Sequence, residues 1–127
     1  MKYLLDTNIL IWYIDDPSQL SYKVTKIMDD INNTFVISIV SIWEIVIKMC
    51  IKRLSLSVSI NDLFEILEYK NISIIPIKKE ILEINLDLPL HHKDPFDRIL
   101  IATTYTENTP IITSDKDIQL YDINWVW

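Results

Sequence analysis

The chain has 127 residues, half of them hydrophobic and 24% charged, a balance that belongs to one ordered globular domain rather than to a disordered chain. Its net charge is −6, which argues against holding phosphates through Lys and Arg alone, although carboxylates grouped around a metal ion lower the formal charge while presenting a cationic site. Glycine is absent, and that excludes Walker A loops and dinucleotide-binding turns, whose backbones need glycine to approach phosphate closely.

In chain order, "KYLL" (2–5) reads as a short buried strand. Asp6, Thr7 and Asn8 follow at once, inside the otherwise apolar "YLLDTNILIW". An ionised carboxylate there is costly unless paired, hydrogen-bonded or bound to a metal. The same polar residues interrupt a leader-like N-terminal run. Glu44 and Lys48 interrupt another apolar stretch, well short of the ~20 residues that span a bilayer. A cytoplasmic protein is expected.

"SQLSYKVTKIMDDI" (18–31) has Leu20, Val24, Ile27, Met28 and Ile31 at helical spacing. "TFVIS" (34–38) is a second strand and "VSIWEIVIKMCIKR" (40–53) a helix. The single cysteine, Cys50, rules out an internal disulfide and is expected as a small buried hydrophobe, in keeping with a reducing compartment. "SINDLFEILEYK" (59–70) is a helix opened by Ser59 and Asp62 in a capping-box-like spacing. "ISIIPI" (72–77) is a strand and "KEILEINLDL" (79–88) a short helix. "DPFDRILIATTYTEN" (94–108) is a helix with Pro95 in its first turn. "PIIT" (110–113), a helical turn at "DKDIQLY", and a last strand in "INWVW" (123–127) complete the series.

Strands alternating with helices imply an α/β fold, a central parallel sheet of about five strands with helices on both faces. Such sheets bind at the carboxyl ends of their strands. Asp6 directly follows the first strand, and Asp115 follows "PIIT" by two residues, so both belong at that edge. Glu44 lies in the first turns of the helix after the second strand, on its only polar stripe of Ser41, Glu44, Lys48 and Lys52.

Each acid also has a simpler explanation. Asp6, Asp94 and Asp115 suit helix caps, and Asp97 suits the positive end of a helix macrodipole. Glu44 suits an i, i+4 pair with Lys48. Together, however, they group carboxylates at one edge, where they repel one another unless protonated or metal-bound. Oxygen ligands alone point to Mg2+ or Mn2+ rather than zinc. The adjacent His91 and His92 are expected to be exposed in a loop.

"LLDTNILIW", "ISIVSIWEIVIK", "LPLHHKDPFDRILIA" and "IITSDKDI", in this order and spacing, resemble the PIN-domain ribonucleases, most closely the VapC-like toxins of type II toxin–antitoxin modules. The resemblance covers essentially all of 1–127 as one PIN domain. It implies a PIN-like fold, an acidic pocket holding Mg2+ or Mn2+, endonucleolytic cleavage of RNA, a cognate antitoxin and a homodimer. By motif, Asp6 matches the first metal ligand, Glu44 the acid of the second motif, Asp97 with Asp94 beside it the third, and Asp115 the fourth. Thr7 and Asn8 match polar groups that support Asp6. Lys48, Lys93 and Arg98 are near enough in sequence to place positive charge at the rim. A glycine usual after the second-motif helix is replaced by "CIKRL". The alternatives are a catalytically silent module of the same fold and a receiver-like signalling domain. The second lacks the aspartate it would need after "ISIIPIKK".

Overall fold

Five short, largely apolar runs, four of them carrying β-branched residues, form one sheet in the computed structural model, which describes residues 1–127. They are β1 (Lys2–Leu5), β2 (Thr34–Ser38), β3 (Ile72–Ile75), β4 (Ile111–Ile112) and β5 (Trp125–Val126). All neighbours pair in parallel, in the order β3-β2-β1-β4-β5. A receiver domain has the order 2-1-3-4-5, so that alternative falls on topology as well as on sequence. The chain winds outward from β1 to β3, then crosses to the other side of β1 to lay down β4. The junction of β1 and β4 is therefore the switch point, where open α/β sheets form their binding crevice.

The side-chain alternation of β1 builds a core on each face. Tyr3 and Leu5 pack with Ile9 and Leu10 of α1 (Thr7–Asp15), Val24 of α2 (Tyr22–Asp29), Ile42 and Ile45 of α3 (Ile39–Cys50), and Leu63 and Leu67 of α4 (Ile60–Tyr69). Leu4 packs on the opposite face with Ile81 of α5 (Lys79–Asp87) and with Ile99 to Ala102 of α6 (Pro95–Glu107). Val40 joins this second core, so α3 contributes to both. Each fully buried Leu or Ile contributes roughly 1.5–3 kcal/mol. The buried Thr103 and Thr104 of α6 return their hydroxyls to Ile99 O and Ile101 O at 2.7 and 2.6 Å, which satisfies them inside the core.

Several elements differ from the sequence reading. Residues 7–15 form α1, a helix that no amphipathic period marks in "ILIWYI". The expected helix 18–31 is shorter and divided. A 3-10 turn occupies Pro17–Gln19, and α2 begins only after Ser21, whose hydroxyl accepts the Val24 N–H at 3.1 Å. Cys50 is exposed rather than buried, since it is the last residue of α3 and faces solvent.

The end of α3 shows what a glycine-free chain does where a glycine is usual. Lys52 takes φ +59°. Its N–H donates to Met49 O at 3.1 Å, and Arg53 N–H donates to Lys48 O at 2.8 Å. That pair of bonds is a Schellman motif, which ordinarily has glycine at the left-handed position.

Candidate active site

The site begins where β1 and β4 end side by side. Leu5 pairs with Ile112, so Asp6 and Thr113 leave the sheet together. The Thr113 hydroxyl donates to Asp6 Oδ2 at 2.7 Å, and both residues are buried. Asp6 occupies the N-cap position of α1 but makes no side-chain capping bond, so capping does not explain it. Burial raises its pKa to about 6, against the lowering effect of the Thr113 hydroxyl and the Thr7 backbone amide, while Asp115 and Glu44 add repulsion. The Thr7 hydroxyl is turned away and donates to Ser41 Oγ at 2.9 Å, fastening α1 to α3. Asn8 is exposed.

Ser38 ends β2 and opens α3 by accepting the Val40 N–H at 3.2 Å. The polar stripe of this helix then runs from core to solvent. Ser41 is fully buried, Glu44 is 6% exposed, and the Lys48 side chain is 38% exposed. Lys48 Nζ meets Glu44 Oε2 at 2.8 Å. Glu44 is thus both ion-paired and buried in the site. Its other oxygen, Oε1, is buried with no hydrogen-bond partner.

The two aspartates of "DPFD" divide their roles. Asp94 is the cap of α6: its Oδ1 accepts the Phe96 and Asp97 N–H groups at 2.8 and 3.2 Å. Asp97 stands one turn inside, with its side chain 14% exposed. Burial, joined by repulsion from Asp6, Asp94, Glu44 and Asp115, raises its pKa to about 8. A carboxyl pushed by all four others lies among them. Asp115 has two functions. Its Oδ1 accepts the Asp117 and Ile118 N–H groups at 2.8 and 3.3 Å and shapes the following turn. Its Oδ2 lies 3.2 Å from His92 Nε2.

Two expectations are corrected here. His92 is not a surface residue: its side chain is 11% exposed, and Nε2 lies 2.8 Å from Asp97 Oδ2 and 3.2 Å from Asp115 Oδ2. Only His91 is exposed. Arg98 is not a rim cation. Its guanidinium donates to the carbonyls of Pro89, His92, Asn85 and Leu88 and to Tyr121 Oη, at 2.8 to 3.3 Å. The carbonyls freed at the end of α5 capture it and so fix the loop before α6. Sequence reasoning also missed Thr113, whose signal was its place at the end of "PIIT", two residues before Asp115.

The sequence matches the PIN domain family over residues 3–124. The chain belongs to the PIN-domain family. None of the curated proteins matches it. Solved structures share this PIN domain's fold at low identity. VapBC2 from Rickettsia felis, bound to a promoter DNA fragment, is 18% identical with a TM-score of 0.74 over 100% of this chain and 99% of that one. VapBC-1 from nontypeable Haemophilus influenzae is 20% identical, TM-score 0.65, over 99% and 97%. FitAcB from Neisseria gonorrhoeae is 18% identical, TM-score 0.63, over 100% and 97%.

The PIN domain's acidic cluster fits a divalent cation. Two buried carboxyls that resist ionisation and one buried oxygen without a partner are a donor set short of positive charge. All the donors of the motif acids are carboxylate oxygens, the preference of Mg2+ and Mn2+. His92, Asp115 and Asp117 also bring possible ligand atoms within 4.8 Å of one another. That trio is the weaker site, because Asp115 Oδ1 is committed to its turn and His92 Nδ1 accepts the Asp94 N–H at 3.1 Å. The second bond leaves the ring proton on Nε2, where a ligand would need a lone pair.

Proposed function

We propose that this PIN domain is the toxin of a type II toxin–antitoxin pair: a Mg2+-dependent endoribonuclease that hydrolyses RNA phosphodiester bonds and is inhibited by a cognate antitoxin. The observation that carries the reading is the mutual repulsion of Asp6, Glu44 and Asp97 beside the switch point, with Glu44 Oε1 buried and unpartnered. Family membership and the likeness to VapBC structures support it. Mn2+ is the expected substitute ion.

Asp6 and Asp97 would hold the ion, with Asp115 Oδ2 beside them and Asp94 in its cap. Bound Mg2+ or Mn2+ supplies Lewis-acid charge to the phosphate oxygens and makes a water nucleophilic near neutral pH. Glu44 Oε1 is free to accept a proton from that water and orient it, because Lys48 already binds Oε2. Thr113 holds the Asp6 carboxylate in place. With the 3′ oxygen as leaving group, as the family resemblance implies, hydrolysis would leave 5′-phosphate and 3′-hydroxyl ends. A homodimer belongs to the same reading, supported by the exposed apolar stripe Ile39, Trp43 and Val46 on α3. A cytoplasmic location belongs to the same reading; no helix is long and apolar enough to cross a membrane.

The test is incubation of purified protein with a mixed RNA pool, with Mg2+, with Mn2+ and after exhaustive chelation. Cleavage only with metal supports the reading. Undiminished cleavage in chelator overturns the metal mechanism, and no cleavage in any condition favours a silent interaction module.

A further inference from the structure

We propose that His92 is a positioning residue for the metal ligands, a clip whose Nε2–H bonds Asp115 while the same ring sits against Asp97 and so holds the two at a fixed spacing. This rests on the metal-site reading above and adds a residue to it. The ring lies between two carboxylates that come from distant parts of the chain, at 2.8 and 3.2 Å from their Oδ2 atoms. Its tautomer follows from its other nitrogen. Nδ1 accepts the Asp94 backbone N–H at 3.1 Å, so Nε2 carries the proton and donates it.

The surroundings are built to hold this ring still. The His92 N–H donates to Tyr121 Oη at 3.0 Å, and the His92 carbonyl accepts from Arg98 at 3.3 Å. Tyr121 in turn donates to Pro89 O at 2.6 Å. "HHKDPFDR" is therefore one device. His92 bridges the acids, Asp94 caps α6 and fixes the tautomer, Asp97 enters the cluster, and Arg98 anchors the loop. The ring lies 2.8 Å from Oδ2 of Asp97 and leaves Oδ1 of the same carboxylate for a cation. It also places a donor between two groups that otherwise repel. Outer hydrogen bonds of this type typically change metal affinity by about 10–100-fold when removed.

The experiment is a calorimetric titration of Mn2+ into wild type, His92→Ala and His92→Gln, with thermal melts of each in chelator and in Mn2+. Glutamine keeps an N–H donor near the position of Nε2. The expected result is that His92→Ala weakens Mn2+ binding about tenfold or more, and that His92→Gln recovers most of the loss. Tighter or unchanged Mn2+ binding by His92→Ala overturns the proposal. So does a fall in melting temperature that is equal with and without Mn2+. Should His92→Ala not fold, long-range nitrogen–proton spectra of the wild-type imidazole decide. Nε2–H must persist on adding Mg2+, and its loss makes His92 a ligand or a displaced competitor. Wild type that binds no Mn2+ overturns the metal reading itself, and with it this role, an outcome distinct from a failure confined to the variants.

Discussion

Glu44 gives one carboxylate oxygen to Lys48 at 2.8 Å and keeps the other buried without a partner. The pair therefore supplies countercharge and leaves a free acceptor. Glu44→Gln should abolish RNA cleavage while melting no lower than wild type in chelator, because it removes a buried charge. Lys48→Ala should instead cost about 1–2 kcal/mol. A buried charge that loses its partner costs more than that, but Lys48 is partly solvated. Gel assays and urea denaturation of both variants check this. A Glu44→Gln protein that still cleaves would remove Glu44 from the mechanism.

Metal-free stability should fall as pH rises. In the unfolded chain Asp6 and Asp97 ionise near 3.8, and in the fold near about 6 and about 8. Between those values the folded state holds more protons than the unfolded one. The contribution of these two groups is thus complete below the unfolded pKa and is lost as pH passes through 6 and then 8. Urea midpoints in chelator, measured from about pH 5 to about pH 8.5, should decline, and Mg2+ should flatten the decline. A midpoint that climbs over this range in chelator would contradict the clustering of the acids.

Asp6 and Asp94 should respond oppositely to neutralisation. Asp6→Asn removes repulsion and can keep the Thr113 hydrogen bond, so it should melt above wild type in chelator. It should also lose most of the metal-dependent gain, which for wild type is about 2.7 kcal/mol at a hundredfold excess over Kd. Asp94→Ala removes a cap and should cost about 1 kcal/mol with or without metal, with cleavage largely retained. Melts of both proteins in chelator and in millimolar Mg2+ compare them directly. If Asp6→Asn melts lower in chelator and neither protein responds to Mg2+, Asp6 is structural.

Lys52→Gly should stabilise the protein by roughly 0.5–1 kcal/mol. The left-handed conformation at φ +59° costs a side-chain-bearing residue about 1–2 kcal/mol, and the added freedom of glycine in the unfolded chain returns part of that. Chemical denaturation with an unchanged m-value is the check. A destabilised variant would mean that the lysine side chain has a role of its own.

The strands were legible because apolar runs bounded by turn residues have few alternatives, and β1 and β2 have the limits read from "KYLL" and "TFVIS". Helix α1 was not, since Ile9 to Ile14 form an apolar run that carries no amphipathic period. The acids were legible as a set because Asp6 and Asp115 follow strands, Asp94 and Asp97 open a helix, and Glu44 lies on the polar stripe of α3. Their hydrogen-bond partners were not. Thr113, Ser41 and His92 act through contacts that only the folded sheet creates, and His92 looked like a loop residue until Tyr121 and Arg98 closed around it.

The bond from Thr113 to Asp6 spans 107 positions of sequence. Synthesis proceeds from the N-terminus, so Asp6, Glu44 and Asp97 leave the ribosome before Thr113 and Asp115. While the last stretch is still in the exit tunnel, β4 cannot lie beside β1, Asp6 lacks its hydroxyl, and the fourth acid is missing. A growing chain then holds an incomplete acidic site, even as α1 to α4 are already free to fold.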